Sequence, residues 1–264
     1  MVHQTDKSAH YNMNEIKLTH NELNKIALSS DAIKCIAVFA MLIDHAAFGI
    51  LHAYLANNAM SILPQTYTKL NNIYDAGRTI GRLAMPIFAF FLVEGYIRTS
   101  NIGKYILRMF VFSILSEIPF DLAFFNTAFY PEHQNIMFTF LIALIMLAAF
   151  DYLNKTILGL SVPVKVLALL FCVVAFADVA AIAKCDYGYK CIALIAILYI
   201  LREHKGLRLV SGAAAVCWEK CAPAAFLFLY FYDDSRKPRL KYFFYIFYPL
   251  HLIIIFIIKR MVLG

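Results

Sequence analysis

The chain has 264 residues, of which 62% are hydrophobic and only 16% charged. A soluble globule carries roughly a quarter charged residues. With so few here, a polar coat over the apolar surface cannot be assembled, which excludes a soluble globule. The net charge of +7 does not point to nucleic acid, because the basic residues fall between apolar segments and form no stripe.

Residues 1–30 are polar and contain no apolar h-region, so they read as a cytoplasmic tail and not as a signal peptide. Residues 31–260 read as one membrane domain, its first apolar segment acting as an uncleaved signal anchor. A spanning helix needs about 20 mostly apolar residues. Candidate spans follow at 32–52, 79–97, 105–124, 134–151, 163–183, 188–202, 207–218, 222–232 and 242–260. The expected fold class is all-α, a polytopic transmembrane helix bundle of about nine spans (roughly eight to ten). The range reflects 207–218 and 222–232, which are short enough to form tilted helices or a re-entrant hairpin.

Lys and Arg in short loops set orientation. With the N-terminus inside, the inner loops collect Arg98, Lys104, Arg108, Lys155, Lys165, Arg202, Lys205 and Arg208, and the outer loops far fewer cations. Lys259 and Arg260 dissent. Six cysteines are present, with no CxxC pair and no zinc-finger spacing, so no metal is expected. They read as small buried hydrophobes, with a disulfide among Cys185, Cys191, Cys217 and Cys221 as a weaker alternative.

Ionisable groups at membrane depth cost at least about 2.5–3.5 kcal/mol each and need partners or a task. Asp44 and His45 lie mid-span in the first helix. His is the side chain best suited to move protons near neutral pH. Arg82 sits toward the outer end and Glu94 toward the inner end of the second span, with Pro86 between them expected to kink it. Glu117 and Asp121 end the third span, and His133 and Asn135 open the fourth. The short connection gathers all four into a polar vestibule at the outer mouth. Each is also a plausible cap or loop anchor by residue type. Asp186 marks another outer turn, in Asp186-Tyr-Gly, and His251 is a second buried histidine in the last span. Asp178 and Glu219 have no evident context.

These segments together resemble the TraX family of membrane proteins. The resemblance is carried by Met41-Leu-Ile-Asp-His45, Gly81-Arg-Leu-Ala-Met-Pro-Ile-Phe-Ala-Phe, Glu94-Gly95 and Leu115-Ser-Glu-Ile-Pro-Phe-Asp121. His133-Gln-Asn, Asp186-Tyr-Gly and Phe247-Tyr-Pro-Leu-His251 complete it, over residues 31–258 or so. The family takes its name from a conjugation protein that acetylates the pilin N-terminus, and it looks related to the transmembrane acyltransferase superfamily.

The resemblance implies an integral acyl-CoA-dependent acyltransferase of the bacterial cytoplasmic membrane. It would draw acetyl-CoA from the cytoplasm and pass the acyl group to an amine or hydroxyl at or across the bilayer. The acceptor stays open among a protein N-terminus, a surface glycan and a small amine. Acyl transfer needs a base and an oxyanion donor. His45 is the candidate base with Asp44 orienting it, and His251 the alternative base. Asn135 or Arg82 is the oxyanion donor. Arg82, Glu94, Glu117, Asp121, His133 and Asp186 are candidate substrate contacts, and Arg98, Lys104 and Arg108 are candidates for the CoA phosphates. The competing reading is a proton-coupled transporter or flippase that uses the same buried Asp, His and Glu residues.

Overall fold

The computed structural model describes residues 27–234 and 239–263. Every regular element among them is helical, and two isolated β-bridges tie loops together. Most of the expected tail, including all of 1–26, lies outside the described residues.

Helix α1 (Ser30–Ala46) is capped by Ser29, whose side chain accepts from Ala32 N–H. It runs through a π-helical turn, Ala47–His52, into α2 (Ala53–Asn58), giving 29 continuous residues. At 1.5 Å per residue that is about 44 Å, ample to cross a bilayer. The π turn begins two residues after His45, and such turns concentrate at functional positions. Gly49 in this turn meets the last helix closely, for a Cβ there would lie 2.7 Å from Ile255.

Helices α3 (Pro64–Gly81) and α4 (Ala84–Arg98) form the return segment, broken at Arg82-Leu83. Pro86 explains the break. It has no N–H to give to the Arg82 carbonyl, and its ring crowds that carbonyl. The kink expected from Pro86 is thus present, one turn upstream, and it turns Arg82 out of the helical ladder.

Helix α5 (Ile102–Phe125) is capped by Asn101 and contains Pro119, and α6 (Ile136–Thr156) is capped by Asn135. Helix α7 (Val162–Ile182) has only Cys172 and Ala180 buried, as suits an apolar edge helix in lipid. Helix α8 (Gly188–Ile200) is buried against α4, α6 and α7. Asp151 on α6 fastens three helices, accepting from Tyr96 on α4 (2.9 Å) and Tyr199 on α8 (2.5 Å).

Helices α9 (Lys205–Ala215) and α10 (Ala225–Tyr230) are 11 and 6 residues long. Each is well short of the roughly 20 needed to span. Lys205 at the start reaches the Tyr232 carbonyl at the end, while Glu219 between them pairs with Arg82. The segment therefore enters and leaves at one end of the bundle and turns at the level of Arg82 and Tyr187, where Trp218 meets the Tyr187 ring. It is a hairpin of two short helices.

Helix α11 (Lys241–Leu263) packs along α5 and against the π turn. Asp31 at the start of α1 accepts from the backbone N–H groups of Arg239 and Leu240, which anchors the entry to α11. Lys259 is buried and gives its ammonium to the Ala123 carbonyl in the last turn of α5 (2.9 Å). That contact gives the dissenting cation a structural task.

Five segments among the described residues are long and apolar enough to cross a membrane: 30–58, 64–98, 136–156, 162–182 and 242–263. Helix α5 has the length but carries Lys104, Arg108, Glu117 and Asp121, and α8 is apolar but has only 13 residues. The nine segments named from sequence are helical, but the reading leaves α3 (Pro64–Gly81) in a loop and overstates how many segments are spans by their own composition. All six cysteines carry free thiols, so the disulfide alternative is not borne out. Cys185 and Cys191 are buried, and Cys217 donates to the Ala213 carbonyl.

Candidate active site

A cavity of about 1010 Å³ runs through the bundle. Its wall is written into helix periodicity. Lys34, Val38, Met41 and His45 on α1, with Phe48 in the π turn, recur at intervals of three and four, one face of a helix. Arg78, Gly81, Arg82, Met85, Phe88 and Leu92 do the same along α3 and α4. One end carries Lys34, Arg98, Arg108 and Asp234, and the other Tyr130, Glu132, His133, Asp186 and Tyr187.

His45 lies on this wall. Its Nδ1 is 2.7 Å from Nε2 of His251, and the two rings are nearly parallel, with centroids 5.0 Å apart. Nδ1 of His251 is 2.9 Å from the Phe247 carbonyl oxygen. A carbonyl only accepts, so the proton of neutral His251 sits on Nδ1 and its Nε2 is a lone pair. His45 must then donate from Nδ1, which leaves His45 Nε2 with a lone pair of its own. The chain of bonds runs from the Phe247 carbonyl through His251 to His45, and ends on the cavity. His251 is only 2% exposed and stands behind His45.

Asp44 does not orient His45. It accepts from Arg78 Nη1 at 2.8 Å, and its side chain lies against Gly81. A Cβ at Gly81 would come within 2.2 Å of Asp44 Cβ, so only glycine admits this approach of α1 and α3. The orienting role expected of Asp44 falls to His251 instead.

Arg82, freed by the break before Pro86, donates to the Tyr187 hydroxyl (2.9 Å) and pairs with Glu219 (3.3 Å). The Asp186-Tyr-Gly turn makes this contact available. Lys184, Tyr187 and Gly188 all have positive φ (54°, 57° and 39°). Non-glycine residues held there store strain that the surroundings must overcome, a pattern typical of functional turns. Backbone bonds from Gln134 to Lys184 and from Asp186 to Gln134 lash the turn to the α5–α6 loop.

The expected outer vestibule divides. His133 and Asp186 line the cavity, with His133 Nε2 3.8 Å from Asp186 Oδ1. Burial pushes the Asp186 carboxyl up, against the opposing pull of His133 and Arg82. Glu117, Asp121 and Asn135 do not line it. Asn135 is fully buried, donating to Glu117 (2.5 Å) and the Ser113 carbonyl (3.0 Å) and capping α6 through Oδ1. Its amide donors are committed, so its expected oxyanion role has no geometric basis. Asp121 accepts from Tyr130 N–H (2.7 Å) and shapes the loop. Their signal in sequence was that of caps and loop anchors.

Of the cations expected to meet CoA, Arg98 and Arg108 line the cavity and Lys104 does not; it lies one turn before Arg108, exposed at the start of α5. Lys34 takes its place, seated over the Phe91 ring at 4.8 Å. Lys34 was legible as the residue eleven before His45, about three turns along the same face. Glu94 is held by Arg98 and Arg208, both at 2.7 Å. No group of three or more His, Cys, Asp or Glu among the described residues is arranged to hold a metal ion.

Comparison with known proteins agrees with the arrangement of motifs. A probable fimbrial assembly protein, FimC of serogroup H1, from Dichelobacter nodosus is 28% identical, over 86% of this chain and 94% of its own length. No solved structure matches the chain. The profile of the family described as "TraX protein" matches residues 29–259, nearly all of the chain, and the protein belongs to the TraX family of membrane proteins.

Proposed function

We propose that this protein is a membrane acyltransferase that takes an acetyl group from acetyl-CoA, entering at the Arg98 end, and delivers it to an amine or hydroxyl entering at the His133 end. The observation that carries this reading is the hydrogen-bonded chain Phe247 carbonyl–His251–His45, which leaves an acceptor lone pair on the wall of a cavity reaching both ends. The concentration of cations in the loops at the Arg98 end supports a cytoplasmic position for that end, on the side where acetyl-CoA is made.

The reaction follows from these residues. The acceptor N–H or O–H approaches the thioester carbonyl, and His45 Nε2 removes its proton as the new bond forms. His251 Nε2 accepts from His45 Nδ1–H and so stabilises the imidazolium, as a positioning residue. Nη2 of Arg82 makes no hydrogen bond among the described residues, and is the donor available to the tetrahedral oxyanion. Collapse breaks the carbon–sulfur bond, and the departing thiolate takes the proton back from His45. Acylated acceptor and free CoA leave. From Lys34 to His45 along α1 is about 16 Å, a length for the extended arm of CoA to cover with its phosphates at Lys34, Arg98 and Arg108. In a protein similar to a fimbrial assembly protein, a pilin N-terminus is one acceptor to try first.

The test is acetyl-CoA turnover by the purified protein in lipid nanodiscs, with and without His45→Ala. Loss of turnover in the variant is expected. Turnover equal to that of the native protein removes His45 as the base, and a native protein that neither binds nor consumes CoA refutes the enzyme reading. A cavity open toward both ends also suits proton-coupled transport. That second reading gains if His45→Ala abolishes flux across a sealed vesicle while acetyl-CoA is untouched.

A further inference from the structure

A second, smaller cavity of about 340 Å³ lies beside the first at the Arg98 end, under the α9–α10 hairpin. Glu94, Arg98, Tyr232 and Asp234 line both cavities, so this group of residues forms a common wall. The far side is basic. Arg202, Lys205 and Arg208 come from the end of α8 and the start of α9. With Arg98 these four cations face three carboxylates, Glu94, Glu203 and Asp234, which leaves one positive charge in excess.

The pairing within the chamber is incomplete. Glu94 engages Arg208 only through Nη1, and Arg208 Nε and Nη2 are buried without a hydrogen-bond partner among the described residues. The Arg208 side chain is only 7% exposed. Glu94 and the face of the Phe90 ring, 4.2 Å from the guanidinium, offset its charge but leave these two N–H groups unused. Lys205 meets a neutral backbone carbonyl at 3.4 Å, and Arg202 pairs with Glu203, which is 78% exposed. Three cations thus line one side of the chamber, and the carboxylates that share it leave positive charge in excess.

We propose that this side chamber is a phosphate subsite, formed by Arg202, Lys205 and Arg208, for the nucleotide end of the acyl donor. The inference rests on the donor reading above and adds to it a defined second compartment. The acyl arm would occupy the main cavity toward His45, and the phosphorylated nucleotide would turn past Arg98 under the hairpin. Arginine presents forked donors suited to phosphate oxygens, and lysine a compact charge. An anionic lipid headgroup carries the same chemistry, so the test separates the two sources.

The full-length protein is placed in phosphatidylcholine nanodiscs and titrated with adenosine 3′,5′-bisphosphate, with adenosine as the phosphate-free control. Arg202 and Lys205 are exposed, so the double variant Arg202→Gln/Lys205→Gln leaves the buried Arg208–Glu94 pair intact. The expected result is binding of the bisphosphate and not of adenosine, weakened tenfold or more in the double variant. In a second arm, phosphatidylglycerol is added to the nanodiscs and thermal stability is read. Stabilisation of the native protein but not of the variant, with no bisphosphate binding, keeps the phosphate chamber but overturns the nucleotide as its occupant. Equal bisphosphate affinity in native and variant proteins overturns the chamber, even where acetyl-CoA turnover and its dependence on His45 persist. Response to neither probe overturns it as well.

Discussion

His45 and His251 are joined ring to ring by a 2.7 Å hydrogen bond between helices at opposite ends of the sequence, 206 residues apart. The Phe247 carbonyl fixes the direction of that bond, and with it the His45 nitrogen that keeps a lone pair.

The two histidines therefore should not respond alike to substitution. His45→Ala removes the base, and a loss of about 10²–10⁴ in kcat is expected for acetyl transfer. His251→Gln keeps a side-chain acceptor for His45 Nδ1–H, and a smaller loss should follow. His251→Phe keeps the ring but not the acceptor, and should fall between the other two. Steady-state turnover of the three variants measures this order. A His251→Phe enzyme as active as the native one would show that the pair is packing alone.

Asp44 and Arg78 are coupled. Arg78→Gln leaves a mostly buried carboxylate without its cation, and a loss near the lower end of the 3–5 kcal/mol range for broken buried pairs, about 3 kcal/mol, is expected. The lower end applies because Arg78 retains 24% of its side-chain exposure. Arg78→Gln with Asp44→Asn should be less destabilised than the sum of the singles. Additive losses in thermal melts would deny the coupling.

Gly81→Ala tests the same contact through volume. The added methyl must displace Asp44, and about 1–3 kcal/mol of destabilisation is expected from such overpacking. Gly159→Ala is the matched control, since a Cβ there meets nothing within 4 Å. Equal melting temperatures for the two variants would place α1 and α3 farther apart than described.

The sequence makes the helices other than α3, the kink at Pro86 and the buried polar pair of α1 legible, because each is a local property of spacing or of one residue's chemistry. Arg82 and His45 are visible as buried polar residues for the same reason. Their partners are not visible. Nothing near His45 in the chain announces His251, and Asp44 beside it is a misleading neighbour, since adjacent helical residues point about 100° apart. Glu219, without context in the sequence, becomes the counter-charge of Arg82 only when the α9–α10 hairpin brings it there. Asn135 misleads in the other direction, for an amide that caps a helix and one that faces a substrate look identical until its bonds are counted.

The Asp151 clamp carries stability and not chemistry. Tyr96 and Tyr199 are each 4% exposed, and both donate to one carboxylate from different helices. Tyr96→Phe and Tyr199→Phe should each cost about 1.5–3 kcal/mol, the range for hydrogen bonds to charged groups. Thermal melts in detergent would register this, with turnover at low temperature nearly unchanged. A fall in turnover without a fall in stability would mean that the clamp acts on the site.

Asp186 supplies a pH dependence. Burial raises its carboxyl pKa in the folded protein above the ordinary carboxylate range, although His133 and Arg82 pull the other way. The folded state therefore holds this proton to higher pH than the unfolded chain does. Stability from this group is fully present below the unfolded pKa and is lost as pH rises through the folded one. Asp186→Asn keeps a neutral side chain of the same shape, so its melting temperature should fall less than that of the native protein as pH rises from the carboxylate range toward neutrality. Parallel melting curves across that range would mean that the paired charges at this end of the cavity fully offset the burial of Asp186.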